Sequence, residues 1–236
     1  MTMTARAIRA RLRSHAVPAN VAIYQRFFKT GPGEYGEGDT FIGVKVPNLR
    51  SVCGECRGVS FDVVLDLLHS KIHEERLLAL LILVDAFQRG DEATRKRVYD
   101  LYLANTAFIN NWDLVDASAG QIVGAWLHSR SHAPLLRLAK SRSLWERRIA
   151  IVATYYFIKR GEFDDTFRIA DVLLKDEHDL IHKAVGWMLR EVGKQDGAAL
   201  RAFLAGRYET MPRTMLRYAI EKFSEAERQR YLRGQV

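Results

Sequence analysis

Trp112 and Asp116 are the residues of this 236-residue chain whose types and spacing most directly suggest chemistry. They fall in the run Asn110-Asn111-Trp112-Asp113-Leu114-Val115-Asp116, which leads into an apolar helix pattern ending near Leu127. Asn110 or Asn111 can cap a helix whose first turn carries Trp112 and Asp113. Residues four apart on a helix share one face, so an indole and a carboxylate stand one turn apart. An acid beside an electron-rich ring forms a setting that attracts positive charge. Asp113 points elsewhere and reads as a first-turn acid favoured by the helix dipole. The pair gains meaning when other segments bring basic groups to the same face.

Those groups emerge when the apolar patterns of successive helices are aligned. Arg76, Trp112, Arg148, Lys183 and Arg217 then fall in register, at steps of 36, 36, 35 and 34 residues. One turn further stand Leu80, Asp116, Val152, Trp187 and Glu221. Singly, Arg148, Lys183, Lys194 and Arg217 read as a solvated helix face; jointly, in register, phosphate contact is the better reading. Trp112 and Trp187 could be core, the usual fate of a helical Trp. Trp126 and Trp145 fall outside the two columns and are assigned to packing. A buried Asp116 with no partner would be costly, so it is either paired, with Arg148 the candidate, or functional.

The elements that must position these residues are helices. Apolar residues recur at helical spacing over 61–68, 75–87, 95–103, 112–127, 134–139, 144–158, 166–174, 180–192, 197–204 and 213–223. No alternating strand run appears, which predicts an all-α fold, read as one domain over 1–236. A repeat of this length holding two helices is an α-solenoid unit, whose stacking makes a continuous core. The tetratricopeptide pattern is missing, so a HEAT-like superhelix with a basic concave face is expected. The exception to helix is the Gly- and acid-rich loop 31–39. It lacks the Gly-Lys-Ser/Thr of a phosphate loop, and its Glu34, Glu37 and Asp39 would repel phosphate. It reads as a turn structure ordered by packing.

Composition narrows the partner. Lys plus Arg is 36 against 28 Asp plus Glu, a net charge of +8, which points to nucleic acid first and an anionic membrane surface second. No apolar run reaches transmembrane length. The Arg-rich residues 1–14 lack a signal peptide's apolar block and read as a basic first helix carrying Ile8 and Leu12. Cys53, Cys56, His69 and His73 have the literal spacing of a C2H2 zinc finger. The apolar positions between them do not fit: Phe61 is one residue late, and Asp66 stands where Leu belongs. Residues 61–68 read instead as a short amphipathic helix, and no metal site is expected. Two cysteines build no disulfide scaffold, so a reducing cytoplasm is the expected compartment.

Several runs resemble the AlkD-like DNA alkylation repair proteins. These are Leu68-His-Ser-Lys-Ile-His-Glu-Glu-Arg-Leu-Leu-Ala79, Asn111-Trp-Asp-Leu-Val-Asp116, Leu144-Trp-Glu-Arg-Arg-Ile-Ala150 and Lys183-Ala-Val-Gly-Trp-Met-Leu-Arg-Glu191. The resemblance covers about residues 20–223. It implies HEAT-like repeats around duplex DNA and hydrolysis of the N-glycosidic bond of alkylated purines. By the matching motifs Asp116 would be the catalytic carboxylate. Trp112 and Trp187 would face the deoxyribose, and Arg148 would hold the nearby phosphate. Arg190, in the last motif, and Phe27 join Lys183, Lys194 and Arg217 as implied DNA contacts. Family members often carry a DNA-facing Tyr and Thr where this chain has Phe27 and Val46, and the loop 31–39 marks a distinct branch.

One carboxylate suffices for that chemistry. Glycoside cleavage generally needs an acid for the leaving group and a carboxylate for the oxocarbenium-like sugar. A purine alkylated at N3 or N7 is already cationic and leaves as a neutral base. The resemblance further implies recognition from the sugar-phosphate side without the base flipping usual among glycosylases. No metal, nucleotide or organic cofactor is required, a monomer suffices, and no Lys beside Trp112 and Asp116 suggests a Schiff base. The rivals are a non-catalytic binder of damaged or branched DNA and a protein–protein scaffold.

Overall fold

The computed structural model describes residues 3–236, and the chain divides into two compact units, Met1–Ser118 and Ala119–Val236. Helices account for the regular structure of the described residues, as the spacing predicts; Thr40 and Ile72 add one isolated parallel bridge.

The first unit contains α1 (Ala5–Arg13), α2 (Pro18–Phe27), α3 (Val46–Glu55), α4 (Phe61–Leu68), α5 (His73–Arg89), α6 (Glu92–Ala104) and α7 (Trp112–Asp116). The basic first helix is present and buries Ile8 and Leu12. Around α5 pack α3, α4, α6 and α7. Helix α5 is buried without a break from His73 to Leu80, including four polar residues in succession. Buried charges persist only when paired and hydrogen-bonded, and each of these four has a partner. The Glu74 carboxylate accepts from the backbone amides of Ile42, Gly43 and Val44, with Oε1 at 3.1, 2.8 and 3.2 Å. Glu75 accepts from Arg9 of α1 at 2.9 Å, and Arg9 also reaches Asp66 of α4 at 2.9 Å. His73 and Arg76 turn toward the loop 31–39.

That loop is ordered by packing, as its composition suggested. Its acids satisfy its own backbone: Gly31 N–H donates to Glu34 and Gly33 N–H to Glu37, at 2.8 and 2.9 Å. Gly36 has no room for a side chain, since a Cβ there would stand 2.3 Å from the Phe28 carbonyl oxygen. Asp39, at the loop's end, is 7% exposed.

The second unit contains α8 (Ala125–Leu127), α9 (Ala133–Ala139), α10 (Leu144–Ala153), α11 (Tyr155–Ile158), α12 (Asp164–Leu173), α13 (Asp179–Gln195), α14 (Gly197–Leu204), α15 (Arg213–Ala219) and α16 (Glu225–Leu232). Helix α13 packs against both α10 and α15; α9 and α12 pack against each other and against α10, and α14 against α13. Two contacts in this unit repeat one device. A Cβ on Gly124 would meet Ala153 O at 2.1 Å and Tyr156 Cβ at 2.8 Å; one on Gly186 would meet Met215 O and Tyr218 Cβ, both at 2.5 Å. The backbones touch there because the glycines carry nothing.

Two helices expected to be continuous are interrupted. The pattern over 112–127 breaks after Asp116, passes through a wide π-helical turn at Gly120–Gly124 and resumes in α8. The pattern over 144–158 breaks at Thr154, whose buried hydroxyl donates to Ile151 O at 2.7 Å. Apolar spacing carries through both breaks, so it does not reveal them.

Candidate active site in the first unit

Helix α7 has five residues, too few to hold together alone, so its geometry depends on its neighbours. The buried Asn111 caps it: its Oδ1 accepts from Trp112 N–H at 2.8 Å, and its Nδ2 donates to Asp39 Oδ2 at 3.2 Å. Asp113 Oδ1 accepts from Leu114 N–H at 2.9 Å, which keeps the first-turn role expected of it.

The Trp112 indole is half-buried and forms the end of an aromatic stack. It lies on Phe28 with ring centres 5.3 Å apart and planes 21° from parallel, and Phe27 meets it edge-on at 5.6 Å. Phe28 in turn stacks on Phe41 at 5.2 Å. Phe27 is 61% exposed, an arrangement that offers a flat apolar surface next to the indole. Asp116, one turn on, is half-buried. Burial pushes the nearby Tyr102 phenol up, and the negative charge of Asp116 adds to that push although a hydrogen bond with Ser118 opposes it.

Behind α7 lies a buried charge network. The His73 ring sits between two carboxylates, Nδ1 2.9 Å from Asp39 Oδ2 and Nε2 2.8 Å from Asp113 Oδ2. Arg76 donates to the other oxygen of Asp39 and, at 3.2 Å, to Ser70 O. Burial disfavours the charged ring, but the hydrogen bonds and charges of Asp113 and Asp39 outweigh it and raise His73 to about 9. Burial likewise opposes ionisation of Asp39, and is outweighed by His73 and Arg76, which hold its carboxyl below the usual range. Arg76, a first-column residue, is thus only 4% exposed and serves this network.

The remaining residues singled out in the sequence belong to the second unit. Arg148 is buried, and its Nη1 donates to Leu180 O at 2.7 Å. Trp187 is half-buried; its Nε1–H donates to the buried carboxylate of Glu191 at 3.2 Å, and Tyr155 lies 6.1 Å from it. Lys194 donates to the same Glu191 oxygen at 2.6 Å, Arg190 pairs with Glu221, and Lys183 pairs with Asp179 at 2.6 Å. Arg217 is exposed. Trp126 is 9% exposed, with Arg130 3.6 Å over its ring, and Trp145 is half-buried.

The cysteine and histidine spacing builds no metal site. His69 bonds Asn105 at 2.7 Å, His73 is occupied by carboxylates, and burial pushes both Cys53 and Cys56 thiols up to about 11. No cluster of His, Cys, Asp and Glu able to hold a metal occurs among the described residues. None of the described helices is long and apolar enough to cross a membrane.

Sequence reasoning missed Asp39, His73 and Glu191, and gave Asp113 only a helix-end role. A faint signal existed in the run His73-Glu74-Glu75-Arg76, where four polar residues open a strongly apolar helix.

Comparison with known proteins gives one family match and one likeness of fold. The family model described as "DNA alkylation repair enzyme" matches residues 8–223. A solved structure described as a predicted DNA alkylation repair enzyme from Enterococcus faecalis superposes with a TM-score of 0.68 at 15% identity, covering 89% of this chain and 98% of that one. No curated protein matches the chain.

Proposed function

The chain belongs to the DNA alkylation repair enzyme family, and on that premise we propose that it is a monofunctional DNA glycosylase acting on cationic N3- or N7-alkylated purines in duplex DNA. The observation that carries the reading is the pairing of a half-buried indole and a half-buried carboxylate one turn apart on α7, with the exposed Phe27 ring beside them. Within the second unit, α13 packs against α10 and α15, and α9 and α12 pack against each other and against α10, which supports HEAT-like helix pairs.

In this reading the C1′–N bond of the lesion breaks with its electron pair passing to the purine, which departs neutral. Asp116 stabilises the positive charge that develops on the sugar. Water adds to C1′, and its proton passes to the carboxylate or to solvent. Trp112 attracts the cationic base and the sugar cation, by about 0.5–2 kcal/mol where water is excluded. Trp187, toward the sugar, and Arg148, toward a phosphate, enter the proposal through the resemblance of their motifs to those of the family. Phe27, Arg190, Lys183, Lys194 and Arg217 are proposed DNA contacts, and base flipping is not required.

The test is duplex DNA carrying 7-methylguanine, with detection of the free base. Asp116→Asn should reduce release on the order of 10²–10³-fold, the usual cost of removing one preorganised electrostatic partner. DNA affinity should hold or rise, because a negative charge near phosphate is lost. Wild-type release by the variant would sink the proposal. The pairing of Lys183, Arg190 and Lys194 with acids favours a second reading, a protein–protein scaffold. Partner binding insensitive to salt would support it, since phosphate contacts weaken steeply with salt.

A further inference from the structure

Both ring nitrogens of His73 face carboxylate oxygens, Asp39 Oδ2 at 2.9 Å and Asp113 Oδ2 at 2.8 Å. A neutral imidazole has one N–H and one lone pair, so with ionised partners it would set that lone pair against an anion at one end. The imidazolium donates at both ends. We propose that His73 is a positioning residue for the Trp112–Asp116 turn, holding that turn in place as a doubly donating cation. The proposal rests on the reading of Asp116 as the catalytic carboxylate.

The connections form a closed circuit. Asp39 Oδ2 accepts from His73 and from Asn111, the cap of α7, while His73 also grips Asp113 in that helix's first turn. A five-residue helix is therefore tied at two points to one loop acid and one ring. Phe28 and Phe41 cover the ring at 4.8 and 4.6 Å, and Phe28 is also the surface on which Trp112 stacks. The charged groups facing His73 are Asp39 from the loop, Asp113 from α7 and, across Asp39, Arg76 of its own helix. Loss of the ring proton would leave one buried and one part-buried carboxylate with Arg76 as the cation among them. Asp113 is the partner nearer solvent, its side chain 16% exposed against 5% for the side chain of Asp39, so α7 is the end that would loosen. The raised pKa of His73, about 9, puts that loss above neutrality.

The experiment uses the full chain. An NMR titration, with the ring signal assigned by its loss in His73→Gln, should find His73 doubly protonated at about pH 7 and deprotonating toward about pH 9. The Trp112 indole N–H, assigned by Trp112→Phe, should shift over the same range. In single-turnover base release, His73→Gln should lower the chemical rate on the order of 10²-fold, as a displacement of about 1 Å can, with DNA affinity unchanged. The wild-type decline toward alkaline pH should vanish in that variant. Should His73→Gln fail to fold, Asp113→Asn keeps the shape and removes one charge; it should move both the ring titration and the rate decline to lower pH. A neutral His73 at neutral pH, or an unchanged rate and pH profile in the variants, overturns the proposal. If wild type releases no base, the functional reading fails separately. The indole signal then decides: a shift coupled to His73 supports the positioning role, and an immobile signal refutes it.

Discussion

Glu74 gives the most direct test of how the first unit is held together. Its carboxylate is 2% exposed and serves three consecutive backbone N–H groups, those of Ile42, Gly43 and Val44. Glu74→Ala leaves three donors without an acceptor in a site with little access to water. Each such donor costs about 1–3 kcal/mol, so the loss from three should be about 3–9 kcal/mol, comparable to much of the stability of a typical domain. Glu74→Gln keeps one carbonyl oxygen for two of the donors. It forfeits the charge and turns an amide donor toward the third, for a loss of about 1–3 kcal/mol. Urea unfolding reads both values, and amide hydrogen exchange localises them. The amides of residues 42–44 should lose protection in the alanine variant while those of α6 keep theirs. A loss below about 1 kcal/mol for Glu74→Ala would refute the reasoning that this anion organises the chain after the loop 31–39.

Two further outcomes follow from the same unit. His73 is raised from its ordinary 6.5 to about 9 in the folded protein, so folding takes up a proton between those values. Its stabilisation, about 3 kcal/mol, is complete below about pH 6.5 and lost as pH rises through about 9. Unfolding curves over that range should show the loss in wild type and its absence in His73→Gln; a flat wild-type profile would contradict the network. Cys53 and Cys56, raised to about 11, add a decline only above the range of His73. Gly36→Ala should destabilise by roughly 2 kcal/mol or more, because the added Cβ would meet the Phe28 carbonyl oxygen at 2.3 Å. Thermal melting checks this, and an unchanged midpoint would show that the loop yields.

The helical character of the chain and most of its long helices were legible from apolar spacing, because burial of one face repeats in the sequence as in space. Three helices escaped. Helix α2 buries none of its residues, so it has no apolar face to detect, and α16 buries Tyr231 alone. Helix α3 follows a Gly-rich loop and buries just Leu49 and Val52. At the candidate site, Trp112 and Asp116 were readable because their spacing is local. Asp39 was not: an acid in a Gly-rich loop looks solvated, and its partners lie 34, 37 and 72 residues away. The run 73–76 reads like an ordinary polar first turn, and nothing local reveals that all four residues are buried. Lys194 and Arg190 looked like uncommitted cations, yet Glu191 and Glu221 neutralise them from the same and a neighbouring segment.

The bare glycine at position 186 has a consequence for the residue beside it. Because the backbone of α13 rests directly on the carbonyl of Met215 and the ring-bearing carbon of Tyr218 in α15, the separation of those two helices is set by main-chain atoms and a Cβ fixed to the main chain, which cannot adjust as the outer atoms of side chains do. Trp187 is the next residue along. Its indole thus inherits its location from a neighbour it need not touch, and variation in α15 can shift an aromatic surface that would itself look unaltered in any comparison of sequences.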